Sequence, residues 1–196
     1  MNKPWPYTVP GIPDKDFYRA EGVPMTRSES RVLIISKLQL FPGAVVYDVG
    51  AGSGSVAVEC ALLGARVIAL EKKARALDLL QRNARKFNVD LKIIAGEAPD
   101  VIHSLPRPQR VFVGGSGGKL KSVLKECHHQ LLPGGRLVFA GVTMDNSPVV
   151  YRFLEKRGYL LEAIQVQTSV AQVKGGTVMW QGRNPVTIIS GEKREE

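Results

Sequence analysis

Asp48 and the glycines that follow it, Gly50, Gly52 and Gly54, are spaced D-x-G-x-G-x-G within the run VVYDVGAGSG at residues 45–54. Glycine lets backbone N–H groups come close to a ligand, and a helix that starts straight after such a turn offers unpaired N–H groups and a positive dipole end. The pattern can therefore hold the anionic part of a nucleotide-like ligand, with Asp48 either holding a ligand ammonium or organising the turn. Taken alone it is equally a plain strand-to-helix connection. Roughly 20 residues past the first glycine, as the dinucleotide rule has it, Glu71 ends the apolar run ARVIALE. A carboxylate there can accept from both ribose hydroxyls or cap the following helix, and beside the glycines the ribose role is favoured. Ser55 stands where G-x-G-x-x-G places its third glycine, which counts against NAD and FAD.

The elements that must position these residues follow from periodicity. The β-branched run before Asp48 reads as a strand, and helices are expected over 54–63, 72–87, 119–132 and 148–157. In the helix over 72–87, Ala76, Leu77, Leu80, Ala84 and Phe87 make the apolar side. Upstream, Pro13 and Asp14 mark a helix start. Thr26 reads as an N-cap, with Glu29 completing a capping box, for a helix carrying Val32, Leu33, Ile35 (or Ile34), Leu38 and Leu40 and ending at Phe41-Pro42-Gly43. LKIIAGEAPDVI supplies a third strand, RVFVGGSGG a fourth, and LLPGGRLVF a turn into a fifth. LLEAIQVQTSV and VTIIS alternate as antiparallel strands closing the sheet edge, and AQVKGGTVMWQGRNP between them is expected to carry subunit contacts. The fold class is α/β: a Rossmann-like doubly wound sheet, mostly parallel, with an antiparallel edge hairpin. Residues 1–10, with Pro4, Pro6 and Pro10, form an extended arm, 11–191 a single domain and 192–196 a charged tail.

With 196 residues, 44% of them hydrophobic, the chain can build one α/β core and is short for two. No apolar run reaches the roughly 18 residues of a membrane span, and MNKPWPYTVP lacks a signal-peptide core, so a cytoplasmic protein is expected. Cys60 and Cys127 have no metal-ligand spacing and read as free thiols. Cys127, His128 and His129 are consecutive on a helix and point about 100° apart, so they cannot converge on a metal, and none is expected. The net charge of +9, from 27 Lys+Arg against 18 Asp+Glu, suits an anionic partner, or a solvated face on the helix carrying Lys72, Lys73, Arg75, Arg82, Arg85 and Lys86.

The D-x-G-x-G-x-G form resembles the first motif of class I S-adenosylmethionine (SAM) methyltransferases. The combination of GIPD, GVPMT followed by a basic residue and E-x-R, then D-x-G-x-G-S-G and F-V-G-G-S-G-G, is more specific. It resembles the precorrin-6B C(15)-methyltransferase (decarboxylating) family of the cobalamin pathway, a domain also found as the C-terminal half of a fused C(5,15) enzyme. The resemblance covers residues 11–191. It implies a class I SAM-dependent methyltransferase fold, SAM as cofactor with S-adenosylhomocysteine as product, and contacts to the cofactor from Thr26, Gly50, Ala51, Gly52, Ser53, Gly54, Glu71, Glu97 and Ala98. Glu97 stands where the family has Asp in G-D-A-P-E.

The same resemblance implies methyl transfer to C(15) of precorrin-6B or its cobalt form with loss of carbon dioxide from an acetate side chain. It also implies a polycarboxylate tetrapyrrole as substrate and a homotetramer. The second glycine cluster, with Gly115, Ser116 and Gly117, either makes room for a flat substrate or packs on the cofactor. Arg27 and Arg31 are expected to meet substrate carboxylates. Thr143, Asp145 and Asn146 either line the substrate pocket, or Asn146 or Ser147 caps the helix over 148–157. No N-P-P-Y-like motif follows the fourth strand, and Asn184-Pro185 lies before the last strand, so nucleic acid is not the expected partner. The rival readings are a methyltransferase acting on RNA and a SAM-binding protein without catalysis.

Overall fold

The computed structural model describes residues 5–195. Seven strands form one sheet in the order β3-β2-β1-β4-β5-β9-β6. The first five, β1 (Val45–Val49), β2 (Arg66–Glu71), β3 (Lys92–Ala95), β4 (Arg110–Val113) and β5 (Arg136–Gly141), run parallel. β9 (Val186–Glu192) and β6 (Leu160–Val166) complete the sheet antiparallel. The result is a doubly wound α/β sheet, mostly parallel, with an antiparallel pair at one edge.

Alternation along the central strands explains the layers. Tyr47, Val49, Val111 and Val113 face one core with Leu124 and Cys127 of α5 (Leu120–Gln130) and Leu154 of α6 (Asn146–Glu155). Val46, Phe112 and Val138 face the other, with Ile34 and Leu38 of α1 (Ser28–Leu38) and Val56 of α2 (Ser55–Leu62). Strands buried on both faces read as continuous β-branched and aromatic runs because no position is left for water. α3 (Ala74–Lys86) buries Ala76, Leu79, Leu80 and Ala84, so Leu79 rather than Leu77 completes its inner face. A four-residue turn of helix, α4 (Ala98–Val101), follows β3 within LKIIAGEAPDVI.

Several boundaries differ from the sequence reading. Thr26 does not cap α1: Arg27 is the N-cap residue, with no side-chain cap, and Asp14 Oδ1 accepts from the Ser28 N–H at 2.9 Å. The helix stops at Leu38 because Gln39 is left-handed (φ 49°). Pro13-Asp14 begins only a single 3-10 turn over Asp14–Asp16. LLEAIQVQTSV is two strands rather than one. β6 ends at Val166, and β7 (Ser169–Lys174) pairs with β8 (Thr177–Gly182) as a separate hairpin around Gly175-Gly176, both at positive φ. The last strand continues to Glu192, and the N–H of Lys193 donates to the Gly135 carbonyl, so the sheet takes in the start of the charged tail. In the arm, the Trp5 indole folds back to donate to the Val9 carbonyl at 2.9 Å, so residues 5–9 are bent rather than extended. Pro4 lies outside the described residues. Among those described, no helix is long and apolar enough to cross a membrane.

Candidate active site

The strand order reverses between β1 and β4, and a doubly wound sheet opens its ligand crevice at such a switch point, beyond the carboxyl ends of the strands. Here the crevice is made by two glycine loops. Val49 pairs with Val113 at the ends of β1 and β4, so Gly50 and Gly114-Gly115 leave the sheet side by side. The N–H groups of Gly114 and Gly115 both donate to the Val49 carbonyl, at 3.0 and 3.2 Å. A Cβ on Gly50 would come within 2.6–2.8 Å of the Gly115 backbone, and one on Gly52 within 2.8 Å of the Pro24 carbonyl oxygen. The first loop is thus pressed between the second loop and the 22–26 segment, with no space for a side chain on either glycine.

Glu71 ties the first loop to β2. Its Oε2 accepts from the Gly52 N–H at 2.9 Å, and its Oε1 accepts from the N–H groups of Lys72 and Lys73 at 2.8 and 2.9 Å. Oε1 therefore has both lone pairs engaged at the start of α3, while Oε2 keeps one for a ligand hydroxyl. The capping and ribose roles are compatible because they use different oxygens.

A cavity runs over this cradle, lined by Thr26, Gly50, Ala51, Gly52, Glu71, Glu97 and Ala98 from the expected cofactor set, and by Gly115, Ser116 and Gly117 from the expected substrate set. Val56, in the first turn of α2, also lines it, which brings the N-terminal end of that helix to the cavity. At the rim, the Glu97 carboxylate takes the ammonium of Lys72 at 2.5 Å and that of Lys119 on its other oxygen. The Lys119 ammonium first, then that of Lys72, holds the Glu97 carboxyl down at about 2. Its oxygens are engaged with lysines; the Ala98 carbonyl accepts from the Ile102 N–H, while its N–H, at the first position of α4, has no carbonyl of that helix to meet. Lys72, Lys119, Pro24 and Phe112 also line the cavity. The sequence reading gives none of them a place in the site: Lys72 stands on a charged helix face, and Pro24 and Phe112 lie inside motifs it quotes.

Other expected residues are placed elsewhere. Ser53 is buried with its carbonyl accepting from Asn83 Nδ2 at 2.8 Å, and Gly54 is glycine for packing, since a Cβ there would run into Leu80 of α3. Neither lines the cavity. Asp48 is also absent from the wall. It is fully buried, no donor reaches either carboxylate oxygen at hydrogen-bond distance, and burial pushes its carboxyl up to about 7, with the Ala57 N–H pulling down and the Glu71 charge adding to the rise.

Arg31 is not open to a substrate. It is buried, with Nε donating to Glu59 Oε1 at 2.6 Å and its Nη groups engaged by Asp14, Thr26 and Ile12. A charge this far inside needs a matched partner, and α2 supplies it. Arg27 is half exposed and pairs with Asp14 at 3.3 Å, outside the cavity. Thr143 and Asp145 lie on an exposed stretch after β5 and do not line it either, and α6 begins at Asn146 with no side-chain cap. Cys60 and Cys127 are buried free thiols, and burial pushes the Cys127 thiol up to about 12. His128 Nδ1 sits 2.9 Å from the Tyr159 hydroxyl, away from the crevice. Among the described residues no group of three His, Cys, Asp or Glu side chains could hold a metal ion.

Residues 16–193 match the precorrin methyltransferase domain family. The probable cobalt-precorrin-6B C(15)-methyltransferase (decarboxylating) of Pyrobaculum aerophilum is 39% identical over 191 residues, 95% of this chain and 97% of that protein. The cobalt-precorrin-6B C(15)-methyltransferase (decarboxylating) of Salmonella typhimurium is 37% identical over 188 residues, 93% and 96% of the two chains. Among solved structures, the precorrin-6Y C5,15-methyltransferase of Geobacter metallireducens superposes with a TM-score of 0.89 at 34% identity, covering 95% of this chain and all of that one. With the paired glycine loops and the Glu71 cradle at the switch point, these matches place the chain in the precorrin methyltransferase family.

Proposed function

We propose that this protein transfers a methyl group from SAM to C(15) of precorrin-6B or its cobalt form, with loss of carbon dioxide from an acetate side chain. The observation that carries the reading is the crevice between Gly50 and Gly115, where two loops meet with no room for a Cβ and Glu71 stands beside them with one oxygen lone pair free. A tight glycine turn, a helix N-terminus that donates and an acid on the neighbouring strand tip that accepts are the features an adenosyl amino acid requires.

In this reading the N-terminal end of α2 meets the amino-acid carboxylate while the Gly50–Gly52 turn, its own N–H groups tied to Leu70 and Glu71, gives the ligand close approach; Glu71 meets the ribose, and the Ala98 N–H the adenine edge. When bound, SAM supplies an electrophilic methyl group. The chain supplies alignment: the Gly114–Gly118 loop gives a flat macrocycle close access, and the 22–26 segment shields the cradle from water. The macrocycle acts as its own nucleophile and electron sink. The +9 charge favours capture of a substrate with many carboxylates, and Arg27, half exposed outside the crevice, remains a candidate contact.

The protein acts in the cytoplasm as a homo-oligomer, by family a tetramer. Every residue of β8 and most of β7 are exposed, including Val173, Val178, Met179 and Trp180, the last at 78%. A two-stranded hairpin is marginal in water without a covering surface, and the cover is a second copy of the chain. Incubation with SAM and a precorrin-6B preparation tests the reaction: the expected product has gained one methyl and lost one carbon dioxide by mass. Methylation of RNA under the same conditions with an untouched tetrapyrrole would refute it.

A further inference from the structure

We infer that Arg31 and Glu59 are positioning residues that hold the 22–26 segment over the cofactor cradle. The inference rests on reading the cavity as the methyl donor's site.

Glu59 lies on α2, the helix whose first turn faces the cavity, and its two oxygens accept from the Gly11 and Ile12 N–H groups at 2.8 and 2.9 Å. Arg31 lies on α1. Its Nε donates to Glu59 at 2.6 Å, one Nη donates to the Thr26 carbonyl at 2.5 Å and to Asp14 at 3.3 Å, and the other Nη donates to the Ile12 carbonyl. Neither side chain is more than about 1% exposed, and neither touches the cavity. The guanidinium thus joins four parts of the chain: α2, the 11–14 segment, α1 and the last residue of GVPMT.

The consequence reaches the site through Thr26 and Pro24. Both line the cavity, and the Pro24 carbonyl lies where a Cβ on Gly52 would stand. The wall formed by this segment is short on internal bonds. The Val23 N–H donates to the Ala20 carbonyl, and beyond that the Thr26 carbonyl is fixed by Arg31. A planar fork can satisfy Glu59, Thr26 and Ile12 together, and a lysine ammonium cannot reach all three from one point. A position built on α2 through Glu59 also moves with the cradle, so segment and glycine loop keep their register.

The test uses the full chain with Arg31→Lys, which keeps the buried charge opposite Glu59, and Arg31→Met/Glu59→Gln, which removes both charges so that none is left unpaired. S-adenosylhomocysteine affinity is read by calorimetry, thermal unfolding reports folding, and KM for SAM is separated from kcat. Arg31→Lys is expected to stay folded and to bind S-adenosylhomocysteine about tenfold or more weakly, since small misplacements of a binding wall have effects of that size. KM for SAM rises while kcat at saturation stays near wild type, because bound cofactor re-seats the segment; a loss of folded protein alone would lower kcat instead. Amide exchange at residues 22–27 speeds up in the ligand-free variant and slows again on ligand addition. Wild-type affinity in either folded variant overturns the inference, as does a fall in kcat with KM unchanged. Should Arg31→Lys fail to fold, unchanged exchange at 22–27 on adding ligand to the wild-type protein overturns it equally. If the wild-type chain itself binds no S-adenosylhomocysteine, it is the reading of the cavity that fails.

Discussion

Gly50 and Gly115, 65 residues apart, stand so close that a Cβ on the first would lie 2.6 Å from the carbonyl oxygen of the second. The contact follows from register, since β1 and β4 end level at Val49 and Val113 and both strands turn out of the sheet at once. Gly50 is also at φ +73°. Gly50→Ala should therefore combine left-handed strain of about 1–2 kcal/mol with displacement of the second loop, and lose ligand binding. Gly158→Ala is the control: φ is +70° but nothing lies within 4 Å of the added Cβ, so it should cost only the backbone strain. Urea unfolding and S-adenosylhomocysteine titration of both variants check the pair. Equal binding by the two would contradict the packing argument.

Asp48 gives a pH dependence with a definite sign. Its carboxyl is raised on folding from the usual 3.8 to about 7, first by burial, so the folded chain holds a proton that the unfolded chain has released. Its contribution to stability is full below 3.8 and declines as pH rises to about 7. Asp48→Asn should abolish that decline and be the more stable protein at pH 8, by on the order of a few kcal/mol. Unfolding free energies of the ligand-free proteins from pH 4 to 8 check it, and parallel curves would refute it.

Glu71 serves α3 through one oxygen and Gly52 through the other. Glu71→Ala removes a capping acceptor, at about 1 kcal/mol. It also removes one charge-assisted hydrogen bond to the ligand, of about 1.5–3 kcal/mol, which corresponds to a loss of roughly tenfold to a hundredfold in affinity. Calorimetry beside thermal unfolding separates the two. A stability loss with unchanged affinity would leave Glu71 as a cap alone.

Trp180 tests the assembly. Trp180→Asp puts a charge on the exposed hairpin and should shift sedimentation of the protein from oligomer to monomer, with the monomer still folded. An unchanged sedimentation coefficient would move the subunit contact elsewhere.

What the sequence made legible is what local chemistry decides. The D-x-G-x-G-x-G turn, Glu71 at a strand tip and the second glycine cluster each announce themselves within a few residues, and all reach the crevice. The long-range partners were hidden. Arg31 reads as a contact to substrate carboxylates until Glu59, 28 residues on, is brought against it. Thr26-x-x-Glu29 has the form of a capping box, yet the capping acceptor comes from Asp14 in another segment. Gly54 shares the motif of Gly50 and Gly52, but its missing side chain makes room for Leu80. Lys72 and Lys119 belong to different elements, and only the fold brings both to Glu97. The β7–β8 hairpin had a readable signal, Gly175-Gly176 between β-branched runs, that was outweighed by alternation continuing through Gln167 and Thr168.

Calorimetric titration of the purified chain with S-adenosylhomocysteine is the most direct measurement. Saturable binding at a single equivalent per chain, lost in Gly50→Ala, is the predicted result. Absence of binding heat across temperatures in the wild-type protein would contradict the assignment of this crevice to the methyl donor.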